Sequence, residues 1–164
     1  LAKALAAKGC ASLRFNYRGV GSSEGKYGNF TGEIADTWAI IHWLEQEQIK
    51  APLILAGFSF GAYIALAVAT GLQKHHPGRL LQLITIAPAV HHADFSSLHP
   101  KAPWLIIQGL KDEVVPPEAV LTWAQALAPS PKILTLATAN HFFDGELISL
   151  RQLLETHLVH AHPT

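Results

Sequence analysis

Leu53-Ile54-Leu55-Ala56-Gly57-Phe58-Ser59-Phe60-Gly61-Ala62-Tyr63 is the stretch whose reading decides the fold. Apolar residues run into a Gly-x-Ser-x-Gly pentapeptide, which runs into Ala- and Leu-rich sequence of helical composition. A strand, a tight turn and a helix with serine at the apex describe a nucleophile elbow, in which a strained turn lifts the hydroxyl clear of the sheet. Glycines without a Cβ let the strand and helix approach each other beside the turn, while the serine takes an unfavourable backbone conformation. The same residues also read as a buried strand followed by an ordinary glycine-rich turn, so the decision falls to the rest of the chain.

Upstream, residues 1–8 are rich in Ala, Leu and Lys and predict a helix that Gly9 ends. Residues 11–17 alternate as a strand does, and the glycine-rich loop at 18–25 follows. That loop matches neither the phosphate-binding Gly-x-x-x-x-Gly-Lys-Ser/Thr pattern nor the dinucleotide Gly-x-Gly-x-x-Gly pattern, so it reads as turn-making. Residues 31–48 open on Thr31, carry Glu33 and Asp36 early, and place Ile34, Trp38, Ile41 and Leu44 at helical spacing.

Downstream, helix is predicted over 60–70, 118–127 and 145–159, and strand over 80–87, 103–108 and 132–137. The strand runs are short, continuous and apolar, the signature of strands buried on both faces of a parallel sheet. Alternation with helices predicts a single α/β domain over residues 1–164, its mainly parallel sheet flanked by helices on both faces.

Composition excludes several functions. With 12 Lys and Arg against 12 Asp and Glu, nothing advertises a nucleic-acid or acidic-membrane partner. No apolar run reaches membrane-spanning length, so the expectation is a soluble chain. The single Cys10 rules out an internal disulfide and favours a reducing, cytoplasmic compartment. Ten histidines are the unusual count. A zinc site needs three or four converging ligands, whereas His75 and His76 fall on a turn and His157, His160 and His162 near the terminus; these read as solvated, with no metal expected. The chain contains no methionine, and its opening in mid-helix pattern suggests a natural start further upstream.

In open parallel sheets, ligands bind outside the carboxyl ends of the strands. Three post-strand loops carry candidate groups there: Ser59, Asp112 and His141, in that chain order. Asp112 has a competing reading as a cap of the helix that follows, and Glu113 is an adjacent rival carboxylate. Phe142 and Phe143 read either as an apolar substrate wall or as anchors of the last helix. His91, His92 and His99 lie in the loop at 88–101, facing either the pocket or solvent.

At this point the chain resembles the α/β-hydrolase superfamily, through Asn16-Tyr17-Arg18-Gly19-Val20-Gly21-Ser22-Ser23, the elbow, Gln108-Gly109-Leu110-Lys111-Asp112-Glu113-Val114-Val115-Pro116, and Ala139-Asn140-His141-Phe142-Phe143. It looks most like that superfamily's small, capless bacterial serine hydrolases, since residues 88–101 are too few for a lid domain. The resemblance implies Ser59 as nucleophile, His141 as its base, Asp112 as the acid that orients the imidazole, and the Phe60 N–H as an oxyanion donor. It implies a small acyl substrate, such as an ester, and no cofactor. It also implies that a central strand, and the loop supplying a second oxyanion donor, are missing from these 164 residues and lie upstream of residue 1. A sheet lacking that strand would expose unpaired edges, which invite homo-oligomers. The alternative is a non-catalytic binding or interaction protein of the same fold.

Overall fold

A computed structural model describes residues 1–159. Four strands form one sheet in the order β1 (Leu53–Phe58), β2 (Leu80–Ile86), β3 (Trp104–Gly109) and β4 (Lys132–Leu136), every neighbouring pair parallel. Five helices accompany them among the described residues: α1 (Ala2–Ala7), α2 (Thr31–Gln46), α3 (Phe60–His75), α4 (Pro117–Gln125) and α5 (Leu147–His157).

Strand alternation explains the two layers. Leu83, Trp104 and Ile106 point into a core built with Ile41 of α2, Ile64, Leu66, Val68 and Leu72 of α3, and Val120 of α4. Their neighbours Ile84, Ile86, Leu105 and Ile107 point the other way, onto Ala4 and Leu5 of α1 and Leu154 of α5. Successive side chains in a strand face opposite sides, so runs such as Trp104-Leu105-Ile106-Ile107 supply both cores at once. The expected parallel, doubly flanked sheet is the observed one.

Two expectations need correction. Residues 11–17 form no strand, and β1 pairs with β2 alone among the described residues. An extended segment is stabilised as a strand only where a neighbour accepts and donates its backbone hydrogen bonds, and alternation in the sequence does not supply that neighbour. The second correction is the elbow helix, which does not stop near Thr70 but continues to His75. Gly71, just past the expected helix end, is a packing site: a Cβ there would come within 2.9 Å of Trp38 Cζ2, so the missing side chain lets α2 lie against α3.

The loop at residues 18–25 is held by Arg18, whose backbone N–H donates to Asp36 Oδ2 at 2.9 Å while its guanidinium grips the same carboxylate at 2.7–3.2 Å. The resulting loop-to-α2 tie places Tyr17 and Tyr27 beside the start of α3. No described helix is long and apolar enough to cross a membrane. His160 and His162 lie outside the described residues.

Candidate active site

The turn between β1 and α3 puts Ser59 in the left-handed half of backbone space, at φ 50° and ψ −112°. A non-glycine residue holds such a conformation only when its surroundings enforce it. Here the Ser59 N–H donates to the Ile86 carbonyl at 2.8 Å, and its carbonyl accepts the Ala62 N–H at 3.0 Å. Of the two elbow glycines, Gly57 is the one sterically required, because a Cβ on it would be driven into the Gly61 carbonyl. A Cβ on Gly61 would meet, outside its own helix, only Tyr17 Oη at 3.9 Å. Phe60 opens α3, so its backbone N–H belongs to the first turn and has no intrahelical acceptor.

Asp112 sits in the loop after β3 and His141 in the loop after β4. Tight contacts stitch these loops together: the Leu110 N–H donates to the Leu136 carbonyl at 2.9 Å and the Lys111 N–H to the Ala139 carbonyl at 3.0 Å. Gly109 is pressed so closely on Ala139 and Asn140 that a Cβ would lie 3.0 Å from the Asn140 oxygen. Asp112 and His141 are 6% and 3% exposed. The His141 Nδ1–H donates to Asp112 Oδ2 at 2.8 Å, and the Ser59 hydroxyl donates to His141 Nε2 at 3.1 Å. A neutral imidazole offers one donor and one acceptor, and this pair of partners assigns the proton to Nδ1.

The rival readings separate on geometry. Asp112 does not cap α4; its Oδ1 accepts the N–H groups of Val114 and Val115, at 2.9 and 2.7 Å, within its own loop. Glu113 stays clear of the imidazole, and its Oε2 accepts the His141 backbone N–H at 3.3 Å. Burial pushes the Asp112 carboxyl upward, but the hydrogen bonds from Val115, His141, Val114 and Gln108 outweigh it and hold the group below its ordinary value.

Phe142 and Phe143 part company. Phe142 is 60% exposed beside His141, with a ring-centroid separation of 5.0 Å. Phe143, 1% exposed, is buried with Leu5, Leu105 and Leu154. Phe143 is therefore corrected from a substrate-wall candidate to a core residue that anchors the loop. Its site-side counterpart is Phe58, the second residue of the elbow motif, whose ring lies 5.0 Å from His141 and 6.2 Å from Phe142.

A cleft of about 400 Å3 opens at Ser59, walled by Tyr27, Phe30, Phe60 and Tyr63 and by His92 and Val114. Of the loop histidines, His92 lines this cleft while remaining solvent-exposed. Tyr27, Phe30 and Tyr63 escape a motif-based reading, because nothing local to them signals a site. Only packing brings them there, with the ring centroids of Tyr27 and Phe30 at 6.0 and 5.0 Å from Phe60 and that of Tyr63 at 4.9 Å from Phe30.

Known proteins share this fold. The family model described as serine aminopeptidase, S33, matches residues 1–100. An α/β serine hydrolase homologue from Coxiella burnetii is 43% identical, with a TM-score of 0.88 over 96% of this chain and 74% of its own. A lidless α/β serine hydrolase from Xanthomonas campestris is 39% identical, with a TM-score of 0.90 over 99% and 73%. Among curated relatives, an uncharacterized protein of Rickettsia prowazekii is 30% identical over 96% of this chain. The chain spans 68% of that relative's length, and 61% of an uncharacterized Mycobacterium tuberculosis relative that is 29% identical. Fold, elbow and family match converge, and the chain belongs to the α/β-hydrolase superfamily, within the serine aminopeptidase S33 family.

Proposed function

We propose that this chain carries the catalytic centre of a serine hydrolase that cleaves a small ester or related acyl substrate through an acyl-enzyme intermediate. The observation that carries the reading is the unbroken relay from Ser59 Oγ through His141 to Asp112, at 3.1 and 2.8 Å. His141 Nε2 takes the hydroxyl proton as Ser59 Oγ bonds to the acyl carbon. Asp112 keeps the imidazole in the required tautomer and stabilises its positive form. The first-turn N–H of Phe60 donates to the oxyanion, a contribution on the order of 3 kcal/mol. Collapse of the tetrahedral intermediate breaks the bond to the leaving group, which takes the proton from His141. Water then repeats the sequence and regenerates Ser59.

The cleft supports a neutral acyl group, since aromatic and aliphatic side chains dominate its walls. Thioester, amide and acyl-transfer chemistry use the same relay, and the family description names an aminopeptidase. A panel of p-nitrophenyl esters and aminoacyl p-nitroanilides ranks these bonds. The decisive experiment is covalent labelling of the full-length protein by an alkyl fluorophosphonate. Labelling is expected for the wild type and is expected to vanish in Ser59→Ala. A wild type that stays unlabelled would favour the binding-protein alternative, and labelling that survives Ser59→Ala would move the nucleophile elsewhere.

A further inference from the structure

Gln108 is the penultimate residue of β3 and is 0% exposed. The two residues before it, Ile106 and Ile107, are what a strand buried on both faces ordinarily carries. An amide here comes at a cost, because its Oε1 has no hydrogen-bond partner among the described residues, and a stranded buried acceptor forfeits its hydration without return. What the amide contributes is donation: Nε2 lies 3.1 Å from Asp112 Oδ2 and 3.1 Å from the Gly109 carbonyl oxygen. The opposite rotamer would set Oε1 against a carboxylate oxygen, acceptor against acceptor, which fixes the assignment of the amide.

Asp112 Oδ2 is the oxygen that receives the His141 ring N–H. Its Oδ1 is already held by the backbone N–H groups of Val114 and Val115. Gln108 supplies the only other side-chain hydrogen bond to this carboxylate among the described residues, and it approaches from the sheet. Without it, Oδ2 is held by the imidazole alone, and the carboxylate plane is free to tilt about the Oδ1 anchor.

We propose that Gln108 is a positioning residue that fixes Asp112 Oδ2 as the acceptor for His141, at the expense of the local stability of β3. The inference rests on the Ser59–His141–Asp112 reading above, and it separates activity from stability in a way a packing role does not. A residue that merely fills the core would lower both together when replaced. Removing a positioning donor lowers activity out of proportion to stability, because the hydrogen bond lost to Asp112 is offset by the loss of a buried carbonyl that has no partner among the described residues.

The test uses the full-length protein, an alkyl fluorophosphonate, and two variants, Gln108→Met, which is unbranched like glutamine, and Gln108→Leu. The maximal labelling rate is expected to fall about tenfold, the loss of one hydrogen bond to an ionised acceptor. The half-saturating probe concentration should stay unchanged, because Gln108 is sealed from the cleft. The melting temperature should be equal to the wild type or higher in at least one of the two variants. Wild-type labelling rates in both variants would overturn the proposal, as would slow labelling matched by a fall in melting temperature in both. Ser59→Ala and Asp112→Asn run in parallel. If Ser59→Ala still labels, the relay and the Gln108 inference fall together. If Ser59→Ala is silent and Asp112→Asn slow while both Gln108 variants label normally, only the Gln108 inference falls.

Discussion

Ser59 is held at a positive φ that serine resists, Asp112 is buried yet surrounded by four donors, and His141 bridges the two. The chain order of these three residues was legible from the sequence, because each follows an apolar run short enough to be a strand. Spacing alone did not choose between Asp112 and Glu113, which lie within one residue of the right place on the same loop; only the family resemblance favoured Asp112. The structure separates them by direction, one carboxylate facing the imidazole and the other the His141 backbone. Asp112→Asn is therefore expected to slow ester hydrolysis by about 10^4-fold, because an amide no longer holds the required imidazole tautomer. Glu113→Gln keeps a carbonyl acceptor for the backbone N–H and should cost less than about threefold, as a weaker hydrogen bond at an exposed site. Steady-state rates of both variants on one p-nitrophenyl ester decide the matter; equal losses would contradict the assignment.

At the scale of elements, the elbow depends on unequal glycines. A Cβ on Gly57 would collide with the Gly61 carbonyl, a backbone group that cannot swing away, whereas Gly61 has room. Gly57→Ala is expected to destabilise the protein by on the order of 3 kcal/mol or to stop it folding. Gly61→Ala, which gains helix propensity, should change stability by less than about 1 kcal/mol. Urea unfolding of the pair checks the contrast, and a Gly57→Ala protein as stable as the wild type would refute the close approach. The elements misread from sequence show the same lesson from the other side. Residues 11–17 carry a strand's alternation without a ladder partner among the described residues, and Gly71, just past the expected end of the elbow helix, lies inside it at a place where Trp38 of α2 needs the space.

Over the whole molecule, the carboxylate at the site is also part of the stability of the fold. The Asp112 carboxyl is held below its ordinary value in the folded protein. A depressed carboxylate contributes stability that is complete above the unfolded value, near 4, and is lost as pH falls through the lower folded value. Wild-type unfolding free energy is thus expected to drop more steeply between about pH 4 and pH 2 than that of Asp112→Asn, which has no such proton to bind. Urea titrations at several pH values measure the two slopes, and parallel slopes would show that this group is not held as described.

By itself, the sequence determined the local grammar of this protein: apolar runs of strand length, helical spacing, and three reactive side chains each placed just past a strand. Those signals depend on residues near one another in the chain, where periodicity and turn chemistry act directly. Only the tertiary structure decided which carboxylate meets the imidazole, that Phe143 turns into the core while Phe142 stays out, and that Tyr27, Phe30 and Tyr63 gather at Ser59. Packing brings these groups together across distant parts of the chain, and a contact of that kind leaves no mark in local spacing. Gln108 belongs to the same class, a polar residue in an apolar strand whose purpose is visible only once Asp112 has folded back over it.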